Sequence, residues 1–179
     1  MELLRASYPT PAGFPFDLPR ALFALFGVET KWTAGALGDF RGRIPTSFGI
    51  AQVNDPSEPY APPQGVDPLV YDLSFPPFAA KLRDALEAIE AATATLVRRS
   101  QAGEPISVDG LSVPDWLNLA WQFGPGALRA WTLHRDRADY TGAGFATEIS
   151  PTSTVTPADY LARLDEFNRY YLTAQALNL

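Results

Sequence analysis

There is no cysteine among the 179 residues and only one histidine, His134. Disulfides and thiolate metal sites are therefore excluded. The lone imidazole, among charged residues at what reads as a helix end, leaves a zinc centre or a Ser-His-Asp triad without partners. Positive charge is scarce as well. Fourteen Lys and Arg stand against 20 Asp and Glu, a net charge of −6 and a pI near 4.7, whereas nucleic-acid binding calls for a basic stripe. No stretch approaches the ~18 consecutive apolar residues that a membrane span needs. The opening MELLRASYPTPAGFPF has prolines where a Sec signal would need an apolar run, so neither a span nor a Sec signal is expected in this chain. No Gly-rich phosphate loop follows a strand. No metal and no cofactor are expected, and nothing fixes the oligomeric state.

What is present is 46% hydrophobic content, 12% aromatics and 17 prolines. That combination suits one compact domain over residues 1–179 with long, punctuated loops. The pattern predicts a mainly α fold. Asp17 as N-cap and Pro19 in the first turn open a helix through ALFALFGVE, apolar on nearly every side and so central. Gly27 within it implies a close approach by another backbone. Residues 33–54 read as turns, with SFGIAQV a short strand or the start of a helix. Seven prolines from Asp55 to Pro77 predict a long loop over 55–77 without a regular element. Helical spacing resumes from about Phe78 to Ser100, in SVPDWLNLAWQF capped by Ser112, in PGALRAWTLHRDR, and from Thr156-Pro157 through ADYLARLDEFNRYYLTAQAL.

Glu29 ends the first of these helices. It is either a solvated acid or a buried proton donor at a cleft. The apolar helix before it and the hydroxyl and indole of TKWTAG beside it favour the second, because aromatic surroundings disfavour the charged form and raise the pKa. A protonated carboxyl at neutral pH is what cleavage of a glycosidic bond asks of its general acid.

Three stretches then share a pattern. VET…TSFGIAQVN resembles the Glu-Ser…Gly-Leu-Met-Gln signature of the lysozyme-like lytic transglycosylases. LAWQFGPGALRAW is similar to their Ala-Tyr-Asn-Ala-Gly-Pro-Gly string, and TPADYLARL to their late Thr-containing stretch before a Tyr-Val helix. The matches occur in the family's order over about residues 17–170. The resemblance implies a single-domain lysozyme-like helical fold. It also implies peptidoglycan as partner, an envelope or secreted location, and cleavage between N-acetylmuramic acid and N-acetylglucosamine. Position by position it makes Glu29 the catalytic acid/base and puts Thr30, Gly49, Gln52, Trp121, Gln122 and Tyr160 at the substrate. Trp121 and Gln122 depart from the family's Tyr and Asn.

In the family's chemistry one carboxyl serves twice, and the products carry 1,6-anhydromuramyl ends. An inverting hydrolase would instead need a second carboxylate ~6.5–9.5 Å away, for which Asp39 and Asp55 are the candidates; as loop acids they also suit turn capping. Gln52 has the same double reading, as a sugar ligand or a local backbone partner. Trp32 could stack on sugars, while Trp116, Trp131, Tyr170 and Tyr171 read as core. A hydrolytic muramidase on the same fold, or a non-catalytic glycan-binding or structural module, are the alternatives.

Overall fold

A computed structural model describes residues 1–54, 59–103, 114–124 and 157–179, with Gly126 and Leu128 between the last two stretches. Among these residues the chain is mainly helical, with six helices and two very short strands. In chain order they are α1 (Glu2–Ser7), α2 (Leu18–Thr30), β1 (Leu37–Gly38), β2 (Ser47–Phe48), α3 (Pro68–Ser74), α4 (Pro76–Gln101), α5 (Asp115–Phe123) and α6 (Pro157–Ala176). No helix among them is long and apolar enough to cross a membrane.

The first strong helix forms as its sequence dictates. Asp17 accepts a hydrogen bond from the Arg20 backbone N–H at 3.0 Å, and Pro19 occupies the first turn, where a missing N–H costs nothing. From Leu18 to Gly27 only Arg20 and Phe23 escape full burial, so α2 is the central rod. It packs most extensively along α6, and α4 packs against α5.

Gly27 is required by rings rather than by a backbone. A Cβ there would lie 2.6 Å from both the Trp32 indole and the Tyr170 ring. The helix stops because Lys31 and Trp32 both take left-handed backbone conformations, with φ of 54° and 60°. Such angles are costly for residues with a Cβ. They are held by Trp32 Nε1–H, which donates to Phe23 O at 2.9 Å, and by packing of the indole on Phe23 and Tyr170.

Residues 37–53 form two nested antiparallel turns. Leu37 pairs with Phe48 and Gly38 with Ser47, and Phe48 bridges in turn to Val53. SFGIAQV is thus a two-residue strand leading into a tight turn, an ambiguity that its short apolar run could not resolve.

The proline-rich segment departs from expectation. Asp67 caps α3 by accepting from the backbone N–H groups of Leu69 and Val70, and Pro68 is its first residue. Pro76 opens α4. Prolines at these two positions start helices instead of preventing them, because the ring's fixed φ suits the first turn. Residues 55–58 lie outside the described residues. On α4 the buried side chains Phe78, Leu82, Ala85, Ile89 and Ala92 recur at helical spacing, and α5 is buried from Asp115 to Trp121. Ser112, the expected cap of α5, lies outside the described residues; α5 starts at Asp115 after Pro114.

Candidate active site

Glu29 is the penultimate residue of α2, at the point where the left-handed turn sends the chain away. Its carboxyl enters a cavity of about 210 Å³ lined also by Asp39, Gln52, Asn54, Lys81, Trp121, Gln122 and Arg163. Five elements contribute: α2 through Glu29, the hairpin region through Asp39, Gln52 and Asn54, α4 through Lys81, α5 through Trp121 and Gln122, and α6 through Arg163. The volume is below the roughly 300–1,000 Å³ of pockets that engulf a drug-sized ligand. The cavity has room for one small group rather than for a whole ligand of that size.

A three-membered relay defines the site. Arg163 Nη1 donates to Gln122 Oε1 at 2.8 Å, and Gln122 Nε2 donates to Glu29 Oε1. A guanidinium can only donate, so it fixes the Gln122 oxygen toward itself and turns the amide N–H toward the carboxyl. Among the described residues no other hydrogen bond reaches the Glu29 carboxyl, which leaves its second oxygen without a partner in a residue that lines the cavity.

Burial is the main influence on the Glu29 carboxyl and lifts its pKa from 4.5 to about 7. The positive charges of Arg163 and Lys81 and the hydrogen bond from Gln122 oppose the shift, while Asp39 adds to it. The carboxyl therefore keeps its proton to a higher pH than a solvated glutamate does. Burial likewise lowers the pKa of Lys81, against the pull of Glu29. Its ammonium sits 4.4 Å from the centre of the Trp121 ring, a cation–π contact that offsets part of its lost hydration.

Of the residues singled out in the sequence, Glu29, Asp39, Gln52, Trp121 and Gln122 line this one cavity. Trp121 is nevertheless a core residue. Its indole N–H donates to Ala51 O at 3.0 Å, and at 3% exposure little of the residue meets the cavity. Gln52 takes the local-backbone role, its amide donating to Gly49 O at 2.9 Å and Ala36 O at 3.4 Å, while Oε1 accepts from Ser47 Oγ. Ser47 Oγ also lies 2.9 Å from Asp39 Oδ2, so one hydroxyl proton serves two acceptors.

Thr30 and Gly49 do not line the cavity. Thr30 Oγ1 lies 2.9 Å from Ile50 O and 3.2 Å from Phe26 O, tying the end of α2 to the hairpin. Gly49 has φ of 73°, and a Cβ would come to 3.0 Å from Asp72 Oδ1. Its requirement is backbone geometry. Trp32 is 38% exposed but packs on Phe23 and Tyr170, away from the lining. Trp116 is buried, and Tyr170 and Tyr171 pack half-buried against the core. Asp55, Trp131, His134 and the side chain of Tyr160 lie outside the described residues.

The sequence reading missed Lys81, Arg163 and Asn54 at the site, and Asp72 beneath it. A signal existed for the two cations. Lys81 precedes the buried Leu82 and Arg163 precedes the buried Leu164, so each borders an apolar stripe, where a long side chain can reach across the seam. Asp72 is 2% exposed, and its carboxylate collects the Gly35 and Ile50 N–H groups at 2.8 Å each and the Tyr60 hydroxyl. It anchors both sides of the hairpin to α3. A scan against protein-family models finds no match, and neither a search of curated proteins nor one of solved structures returns a similar protein.

Proposed function

We propose that this chain cleaves the β-1,4 bond between N-acetylmuramic acid and N-acetylglucosamine in peptidoglycan, as a lytic transglycosylase with Glu29 as its single acid/base. The observation that carries the reading is the Glu29 carboxyl in a polar cavity, with Gln122 its one hydrogen-bond partner among the described residues and with burial raising its pKa to about 7. The motif resemblance of the sequence supplies the substrate. In the first step the protonated carboxyl gives its hydrogen to the leaving glycosidic oxygen as the bond to the muramyl C1 breaks. The sugar's own N-acetyl group shields the electron-poor carbon. The carboxylate so formed is stabilised by the Gln122 N–H and by the charges of Arg163 and Lys81. It then takes the proton of the muramyl 6-hydroxyl while O6 bonds to C1, which closes the 1,6-anhydro ring and regenerates the acid. No water is consumed. Such a substrate implies action at the cell envelope or outside the cell.

A second reading is favoured by one observation: Asp39 lines the same cavity. With Asp39 as base a water could be activated, and the enzyme would be a hydrolytic muramidase on the same scaffold. Digestion of purified sacculi followed by mass spectrometry of the products decides between them. Anhydromuramyl ends from wild type, absent with Glu29→Gln, are the expected result. Reducing muramyl ends would favour hydrolysis, and identical products from wild type and Glu29→Gln would overturn both.

A further inference from the structure

A protein of net charge −6 carries two cations into its one described polar cleft. Most basic side chains with a defined neighbour are neutralised. Arg20 pairs with Asp17, Lys31 and Arg169 with Glu166, and Arg83 with Asp84 and Glu87. Lys81 and Arg163 are different. Among the described residues neither has a carboxylate within ion-pair distance. Arg163 spends one N–H on the neutral Gln122 oxygen, and Lys81 faces the Trp121 ring.

Both residues are partly buried, and withdrawing a cation even partly from water without a counter-ion is unfavourable, so their place here favours an anion. Glu29 meets that need only when it is ionised, which is the form that cannot donate a proton. Asp39, the other acid of the lining, is exposed and engaged with Ser47. With Glu29 protonated, the inner wall carries positive charge with guanidinium donors left over. A carboxylate is the group whose two oxygens match such donors.

We infer that Lys81 and Arg163 form a carboxylate-binding subsite, so that the glycan seated beside Glu29 carries a free carboxylate at or near the scissile sugar. The inference rests on reading the cavity as a glycan cleft. In a muramyl glycan this carboxylate has two sources. One is the lactyl ether group, charged only where its stem peptide has been removed; the other is an intact stem, through its terminal carboxylate or those of its acidic residues. Occupancy by either anion also offsets the charges that pull the Glu29 proton away. Substrate therefore reinforces the acid that attacks it, and a neutral glycan does not.

The test uses the full chain carrying Glu29→Gln, so that binding is separated from cleavage. Calorimetry compares a denuded muramyl tetrasaccharide, the same sugar with its lactyl carboxylates reduced to alcohols, and the stem-bearing tetrasaccharide. At least one carboxylate probe should bind about tenfold more tightly than the alcohol, the scale of a charge-assisted hydrogen bond. That advantage should disappear in Lys81→Gln and Arg163→Gln and return in part in Arg163→Lys, with melting temperatures confirming that each variant folds. A preference for the denuded sugar assigns the lactyl group, and a preference for the stem-bearing sugar assigns the stem. Equal affinity for all three probes, no binding at all, or equal weakening of all three in the variants would overturn the subsite. Sacculus cleavage with charge-blind binding would remove this inference alone. Charge-dependent binding with no cleavage by wild type would remove the catalytic reading and leave the subsite.

Discussion

Two withdrawn carboxylates lie close to the hairpin, and their surroundings differ. Asp72 is almost wholly buried, and its oxygens are filled by two backbone N–H groups and a tyrosine hydroxyl. Glu29 is less deeply buried, lines a cavity and receives one amide N–H, with no partner for its second oxygen among the described residues. Burial alone would rank Asp72 as the more unusual acid. Saturation reverses that order, because a carboxylate with both oxygens engaged and three donors bound has little capacity left for a substrate. Asp72 ties the hairpin to α3; Glu29 keeps acceptor capacity at the cavity. A buried acid is therefore a candidate catalyst only when its hydrogen-bonding capacity is incomplete.

The largest expected effect falls on Glu29. Glu29→Gln should reduce product release from sacculi by about 10²–10⁴-fold, the range of general acid–base catalysis, with the far-UV circular dichroism unchanged. Asp72→Ala should do the opposite in kind. It strands buried donors at a cost of roughly 1–3 kcal/mol for each left unsatisfied. A loss near 3 kcal/mol would lower the melting temperature by about 6–12 °C, with a comparable activity for whatever fraction stays folded. Should Asp72→Ala be as stable as wild type, the distinction between anchor and catalyst would fail.

The next effect concerns pH and stability together. The folded-state pKa of Glu29 is raised, to about 7 from 4.5, so the folded state binds the extra proton between these values. Its ionisation burdens the native state increasingly from pH 4.5 to 7 and by a constant amount above. Glu29→Gln, which cannot ionise, should match wild type near pH 4 and exceed it by about 1–2 kcal/mol at pH 8, allowing for solvent screening. Urea denaturation at the two pH values measures this. The smallest effect belongs to Asp39→Asn. Removing its charge eases ionisation of Glu29, so the alkaline limb of the activity profile should move to lower pH by a few tenths of a unit, roughly what one screened surface charge supplies. A collapse of activity in this variant would instead make Asp39 the base of a hydrolase.

Much of the helical frame was legible. Asp17 and Pro19 announce α2, and the apolar ring of residues after them announces its burial. Glu29 was legible too, because a carboxylate closing such a helix has little solvent to face. The functions of Thr30, Gly49 and Gln52 were not, since their hydrogen bonds go to backbone groups whose positions only the folded hairpin defines. Lys81 and Arg163 stand 52 and 134 positions beyond Glu29 in the chain. Their meeting is a product of helix packing that no local pattern encodes. Prolines misled over 68–77 because the same ring that bars a helix interior favours a helix start; Asp67 marks the start at Pro68, whereas Phe75 before Pro76 makes no side-chain cap.

Tyr170, seated over the bare backbone of Gly27, has a consequence for the order of assembly. The helix that carries it also brings Arg163, and so the relay to Glu29 through Gln122 closes only after this late segment docks. A partly synthesised chain has the acid but not the group that orients its partner. The geometry that orients the amide on Glu29 is thereby deferred until α6 has been made and has packed along α2.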